Sequence, residues 1–253
     1  MIGELVARVF DEPFEWLQMW RRTMLARRLV RQLNLADDLV AKVAFTSGHS
    51  KFKSNQKTSE IVALLGEVER LRPRILCEIG SDRGGTLALL AQVASDDALI
   101  VSIDPIHQHR NTIPYESLVR GSQRLIRIGG DSHASEVIGH LKTVLAGHTL
   151  DFLLIDGDHS YSGVKQDFEM YAPLVRKDGL IAFHDIVPIQ SEASQAYVGG
   201  VPDYFTQEIA PTYETRTWID SATQDGYGIG TLVWPGERVA TNQAMDAWVA
   251  RSA

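Results

Sequence analysis

Thiols are nearly absent from this 253-residue chain: its one cysteine, Cys77, excludes any intrachain disulfide. Cys77 sits in the apolar run RILCEIG, where a core residue is expected rather than a nucleophile. Apolar runs of about 18 residues are also missing, which excludes a membrane-spanning helix. Near the start, Glu4, Asp11 and Glu12 interrupt any secretory signal stretch, so a reducing cytoplasm is the expected location. An excess of basic charge is lacking too. The net charge is −7 and the pI about 5.6, which argues against a general nucleic-acid binder. No internal repeat and no low-complexity tract breaks the chain. What remains is ordinary for a packed protein: 44% hydrophobic and 23% charged residues, enough for one large α/β domain with a small helical addition.

The charge is unevenly spread. Residues 1–57 carry ten Lys or Arg against six Asp or Glu, a surplus of +4 that leaves −11 for the rest. Arg21, Arg22, Arg27, Arg28 and Arg31 cluster in a stretch read as helix over 12–46, where Phe14, Leu17, Met24, Leu25 and Leu33 recur at roughly helical spacing. A solvated helix face accounts for the arginines; contact with an anionic partner or a membrane face is the other reading. Residues 47–57 are polar and read as a loop, and a helix follows from about Ser59 to Leu71, capped by Thr58 or Ser59. The chain is accordingly divided into an N-terminal helical extension, 1–57, and a main domain, 58–253.

Beyond Pro73 the pattern alternates. Apolar runs at Arg74–Gly80, Ala98–Asp104, Gln123–Ile128, Leu150–Asp156 and Gly179–His184 read as strands, with helical stretches at Thr86–Ala94, Ala134–Leu145 and Tyr161–Leu174 between them. Strands alternating with helices give a parallel sheet covered on both faces, an α/β architecture. A helix near Asp203–Ile209 and two closing strands, Glu214–Ile219 and Ile229–Trp234, complete the chain.

Such sheets bind ligands beyond the carboxyl ends of their strands. After the first strand comes Glu78-Ile-Gly-Ser-Asp-Arg-Gly-Gly-Thr86, a glycine-rich turn; after the second comes Asp104, whose carboxylate can take both hydroxyls of a ribose. Together they describe a nucleoside site. Asp82 occupies the place of the middle glycine of a dinucleotide turn and would repel a pyrophosphate. S-adenosylmethionine (SAM), with an ammonium, a sulfonium and no phosphate, suits these carboxylates better than NAD. The fourth strand ends in Asp156-Gly-Asp-His159 and the fifth in His184-Asp185. Asp156 and Asp185 leave neighbouring strand ends, and paired carboxylates there can hold a hard divalent cation.

The stretches ILCEIGSDRGGTLALLA, VSIDP, GGDS and LLIDGDHSYSGVKQDFEMYAPLVRKDGLIAFHDI resemble the class I SAM-dependent methyltransferases, and within them a bacterial branch with sugar O-methyltransferases and cephalosporin-hydroxylase-like proteins. The resemblance runs from about Gln56 to Trp234. It implies a Rossmann-like seven-stranded, mostly parallel sheet with the last strand antiparallel. It also implies roles: Glu78, Gly80 and Ser81 along the methionine part of SAM, Asp104 at the ribose, Asp131 and Ser132 by the adenine. Asp156, His184 and Asp185 match metal-ligand positions, and His159 matches the catalytic base. The first residue of the strand-five pair is usually acidic. An imidazole there suits later transition metals better than Mg²⁺, so Mg²⁺ and Mn²⁺ are both expected candidates.

The expected activity is metal-assisted methylation of a hydroxyl on a saccharide or small-molecule acceptor, with no nucleic-acid or membrane partner. The N-terminal helices offer a face through which subunits can pair. A catechol or phenol acceptor is the nearest alternative, with Trp16, Trp20, Tyr197 or Trp218 as an aromatic slot; a SAM-binding protein without turnover is the other.

Overall fold

The computed structural model describes residues 17, 20–49, 53–105, 117–190 and 199–236. Its centre is a seven-stranded sheet: β1 (Ile75–Ile79), β2 (Leu99–Asp104), β3 (Arg124–Gly129), β4 (Leu150–Ile155), β5 (Val175–His184), β6 (Thr215–Trp218) and β7 (Ile229–Val233). The spatial order is β3-β2-β1-β4-β5-β7-β6. The first five strands are parallel, and β7 inserts antiparallel between β5 and β6. This is the expected Rossmann-like sheet, and β1 to β5 fall on the apolar runs. The fifth strand begins earlier than its glycine suggested, because Val175 pairs with Leu150 across an irregularity in register before Phe152 meets Leu180.

Register decides where the chemistry goes. Ile79 pairs with both Ile103 and Ile155, and Ile155 pairs with Phe183. Gly80, Asp104, Asp156 and His184 therefore leave the sheet at one level, on the same edge. The chain order reverses between β1 and β4, which opens a crevice at that point.

Helices cover both faces. On one lie α1 (20–34), α2 (Leu39–Ser47), α3 (Thr58–Leu71) and α4 (Gly85–Val93), whose buried side chains meet Leu76, Phe152, Leu154 and Ala182 of the sheet. On the other lie α5 (Ser135–Leu145), α6 (Tyr161–Tyr171) and the short α7 (Gly200–Tyr204), which runs on as one wide turn over Phe205–Ile209. They pack on Cys77, Val101, Leu153, Ile181 and Phe183. Alternate residues of each strand thus serve opposite cores. Cys77 is fully buried, and burial, with help from Glu78 and Asp167, pushes its thiol far up, as expected of an inert core residue.

The N-terminal segment differs from its expected form. The helix read over 12–46 is two helices, broken at 35–38, where the Asp38 side chain accepts the Ala41 amide at 2.8 Å and caps α2. An Asp before an apolar run is a start signal, and it overrides continuing periodicity. The inward stripe of α1 is Ala26, Leu29, Val30 and Leu33, while Leu17, Trp20, Met24 and Leu25 stay exposed. Full burial of Leu29 and Leu33 stabilises this segment by roughly 1.5–3 kcal/mol each. Helix α3 starts at Thr58 behind Lys57, with no side-chain cap. No helix among the described residues is long and apolar enough to cross a membrane.

Candidate active site

The turn after β1 can be built only with glycine at its pivot. Gly80 has φ 85°, and a Cβ there would stand 2.0 Å from the Asp156 carbonyl oxygen, so the β1 and β4 loops touch backbone to backbone. Further along, a Cβ on Gly85 would stand 2.3 Å from the backbone of Lys53 and Ser54. The segment 53–57 is therefore pressed onto the start of α4, where the Ser54 and Thr86 hydroxyls lie 3.3 Å apart.

Asp104 organises the turn from the next strand. Its Oδ2 accepts the Ser81 and Asp82 amides, both at 3.0 Å, while Ser102 donates to Ser81 Oγ at 2.8 Å. Beside this turn opens a cleft of about 450 Å³, walled by Ile79, Gly80, Ile103 and the strand-end acids. Its acids are Asp82, Asp104, Asp131, Asp156 and Asp158, and among the described residues no lysine or arginine lines it. These described carboxylates disfavour a pyrophosphate and favour a cationic ligand. Asp131 and Ser132 lie on its wall. Asp131 Oδ1 accepts the His133 amide at 3.0 Å, and the Ser132 carbonyl accepts the Tyr171 hydroxyl at 2.7 Å. Glu78 is fully buried and lines neither cleft of the site; both its carboxylate oxygens lack a hydrogen-bond partner. Burial, reinforced by the charge of Asp156, raises its pKa well above the carboxylate range.

At the end of this cleft stands a cluster of imidazoles and carboxylates. His184 Nδ1 lies 3.1 Å from Asp156 Oδ1 and 3.3 Å from Asp185 Oδ1. His159 Nε2 lies 3.4 Å from Asp156 Oδ1 and 3.6 Å from Asp185 Oδ2. One ligand atom each from Asp156, His184 and Asp185 falls within 4.8 Å of the other two, a donor set that a divalent cation fits. Asp185 adopts φ 59°, a left-handed conformation that Asp tolerates and that turns its carboxylate back toward its neighbours. Burial opposes charge on Asp156, yet His184 and His159 hold its pKa well below the usual range. Burial likewise opposes charge on His159 and His184, and Asp156 and Asp185 overcome it, holding both imidazoles above their ordinary value.

A second cleft of about 390 Å³ adjoins the first and shares Gly80, Asp82, Asp156 and His159 with it. His184, Asp185, Ile189 and Tyr227 form much of its wall, with Lys53, Asn55 and Gln56 opposite in sequence. Gln56 donates from Nε2 to Asp156 Oδ2 at 3.2 Å. Neither Gln56 nor Tyr227 stood out in the sequence. Gln56 lay in a polar loop assigned to the extension, and the Gly-Tyr-Gly run at 226–228 read only as a connection between strands. Of the four aromatics expected to serve an acceptor, Trp218 packs against the core and Trp20 is exposed on α1; Trp16 and Tyr197 lie outside the described residues. A larger cavity of about 540 Å³, lined by Phe168, Pro173, Val175 and Trp234, lies at the other end of β5 from His184 and holds no part of this cluster.

Comparison with known proteins agrees with this arrangement. A family described as a methyltransferase domain matches residues 77–186, the span that holds the glycine turn, Asp104, Asp156, His159, His184 and Asp185. An uncharacterized protein of Acanthamoeba polyphaga mimivirus is 32% identical over 115 residues, 43% of this chain and 49% of that protein; the chain thus spans about half the length of this curated relative. Among solved structures, an O-methyltransferase of tomaymycin synthesis from Streptomyces achromogenes, in complex with SAM, is 16% identical. The likeness covers 79% of this chain and 91% of that one, with a TM-score of 0.58. An O-methyltransferase from Bacillus cereus, in complex with S-adenosylhomocysteine, is 18% identical over 82% and 90% of the two chains, with a TM-score of 0.52.

Proposed function

We propose that residues 77–186, which match a methyltransferase domain, form a class I core, and that the chain transfers a methyl group from SAM to a hydroxyl of a sugar or glycoside, with a divalent cation at Asp156, His184 and Asp185. The observation that carries this reading is the junction of the two clefts: the carboxylate–imidazole cluster stands where they meet, with His159 on the walls of both. SAM supplies a methyl group on a sulfonium, which a hydroxyl oxygen takes by direct displacement. A cation held by Asp156, His184 and Asp185 would supply Lewis acidity to lower the pKa of that hydroxyl.

The protein's own groups do the rest. The first cleft, whose described wall carries carboxylates and no lysine or arginine, favours a positively charged nucleoside; Asp104, on that wall, would receive ribose hydroxyls. His159 is the general base: it lines both clefts, and its Nε2 lies within 3.6 Å of both acids of the cluster. Gln56 holds Asp156 from the side opposite the imidazoles. Holding two substrates in adjoining clefts converts a bimolecular displacement into one between aligned groups. A sugar fits the second cleft better than a catechol does. Lys53, Asn55, Gln56 and Asp225 offer polar contacts, and Tyr227 is the one full aromatic ring among its described lining residues.

Calorimetry on the purified chain tests the first half: SAM and S-adenosylhomocysteine are expected to bind, and preference for NAD would sink the reading. Formation of S-adenosylhomocysteine with a panel of methyl glycosides tests the second. Chelation is expected to abolish it, and Mg²⁺ or Mn²⁺ to restore it. Faster turnover with Mn²⁺ supports His184 as a ligand. Full turnover in excess EDTA, or in Asp156→Ala, would remove the metal from the proposal.

A further inference from the structure

The wall of the second cleft contains a residue in a conformation its backbone disfavours. Gly226, Tyr227 and Gly228 lie in succession at φ 72°, 61° and 83°. The two glycines are required by space: a Cβ at Gly226 would stand 2.9 Å from Ile189 Cγ1, and one at Gly228 2.6 Å from Val187 Cγ2. Tyrosine has no such reason to be there, since bulky side chains avoid the left-handed region and persist in it where the surroundings over-determine them, often at functional sites.

The surroundings do over-determine it, and through the backbone. The Gly228 amide donates to buried Glu60 Oε2 at 2.9 Å, and the Val187 amide to the Tyr227 carbonyl at 2.9 Å. Gln224 Nε2 donates to the Gly226 carbonyl at 2.9 Å and to Glu60 Oε1 at 2.7 Å. Each bond would survive with glycine at 227. What tyrosine adds is its ring, and core packing does not explain the ring, which is 41% exposed. It stands edge-on to His184, with centroids 6.1 Å apart, and lines the cleft with Asp156 and Asp185. Lys57 Nζ lies 5.7 Å from its centroid and braces it.

We infer that Tyr227 is the acceptor platform of this site: its exposed ring surface takes the apolar face of a pyranose or furanose ring and so presents one ring hydroxyl to the Asp156–His184–Asp185 cluster and His159. This rests on the methyl-transfer reading above. An aromatic face attracts the slightly positive C–H groups of a sugar ring. The adjoining polar groups, Asn55 and Gln56, are suited to the remaining hydroxyls.

The test compares wild type with Tyr227→Gly and Tyr227→Phe, in the presence of SAM and Mn²⁺, using methyl glycosides of several common hexoses and pentoses as acceptors and catechol as the contrast. Tyr227→Gly is expected to raise KM for the accepted glycoside about tenfold or more, the equivalent of one lost stacking contact, with SAM affinity unchanged. Tm should hold or rise, because glycine removes the strain. Tyr227→Phe should keep KM within about threefold, since the ring face remains. An unchanged KM in Tyr227→Gly overturns the proposal. So does a fall in Tm with loss of SAM binding, the signature of a structural side chain. Wild type that binds SAM but methylates catechol alone, or no glycoside, overturns the platform and leaves the cofactor reading standing. Wild type that binds no SAM overturns the methyl-transfer reading first and this proposal with it.

Discussion

The two clefts are built in opposite ways. The walls of the first come from the ends of four parallel strands within one continuous stretch, Ile79 to His159. The second is assembled from segments around 53–56, 80–86, 156–159, 184–189 and 225–227. The first is thus a property of the sheet's topology and local turn chemistry. The second depends on long-range packing, above all on segment 53–57 being pressed against Gly85 and on Glu60 gripping the 224–228 turn. A nucleoside site of this kind tolerates change elsewhere in the chain, whereas an acceptor site of this kind is re-cut by any change that moves a loop.

The largest effect is expected at a residue that the two clefts share. His159→Ala should keep SAM affinity and metal affinity but lose roughly 10²–10⁴-fold in turnover, the usual size of a general-base contribution. Titration calorimetry alongside a steady-state assay checks it. Near wild-type turnover in a folded variant would move the base elsewhere, with Asp158 the next candidate on that loop.

On the cofactor side alone, Asp104→Ala removes the acceptor of two turn amides together with the expected ribose contact. Hydrogen bonds to a charged group contribute about 1.5–3 kcal/mol each, so SAM affinity should fall about 10–100-fold. Glycoside KM, measured at saturating SAM, should stay within about threefold if the clefts are energetically separate. An equal loss on both sides would show that the turn supports the whole site.

These contrasts explain what was legible in the sequence. Strands β1 to β5 announced themselves because each holds a short apolar run that ends at or just before a Gly, Asp or His, and local composition suffices for that. The glycine turn, Asp104, Asp156, His159, His184 and Asp185 were legible for the same reason: strand ends in a parallel sheet share an edge. Glu78 was expected along the ligand, yet its side chain is enclosed behind the wall, since it lies two residues before Gly80 and shares the buried face of Leu76. The break at 35–38 was hidden by helical spacing that continues across it. Gln56 and Tyr227 were invisible because nothing local distinguishes a glutamine in a polar loop, or a tyrosine between glycines, from its bland equivalents. Their roles exist only through contacts 100 residues away, in the case of Gln56 and Asp156, or through backbone angles that sequence does not display.

Burial disfavours the charged form of both Asp156 and Asp167, and their partners decide the outcome. Asp156 is kept ionised by two imidazoles, whereas Asp167, fully buried on α6 behind the first cleft, is pushed up to about 6 by burial, with Ser132 and His133 opposing. His133 Nε2 lies 3.2 Å from its Oδ1, and a Cβ on Gly157 would stand 3.3 Å from its Oδ2. In the unfolded chain this carboxyl releases its proton near pH 4; in the native protein it keeps it until about pH 6. The native state therefore binds more protons across that window, so this group's contribution to stability falls as pH rises from about 4 to about 6 and levels off above. Asp167→Asn should remove that slope and raise stability at pH 8 by on the order of 2 kcal/mol, as followed by urea unfolding at several pH values. A pH profile parallel to wild type would show that the His133 pair, not burial, governs the group.

The smallest expected effect sharpens the comparison most. Gln56 is the one described residue of the segment before α3 that hydrogen-bonds the cluster, through Nε2 to Asp156 Oδ2 at 3.2 Å, and its Oε1 is buried without a partner. Its amide fixes which oxygen of Asp156 faces the imidazoles, the kind of outer contact whose removal costs about 10–100-fold in metal affinity or activity. Gln56→Ala should lie at the lower end, about tenfold in kcat/KM for the glycoside, because Asp156 keeps its bonds to both His159 and His184. SAM affinity should not change, since Gln56 lines only the second cleft. Stability should change by about 1 kcal/mol or less, as one neutral amide contact is lost and one buried unpaired oxygen goes with it. Gln56→Glu provides the converse: a third carboxylate beside Asp156 should weaken the metal-free fold through like-charge repulsion and raise affinity for a hard cation, read as a larger Tm increase on adding Mg²⁺ than in wild type. If both variants match wild type in Mg²⁺ response and kcat/KM, the segment before α3 is a cover over the site and not a wall of it.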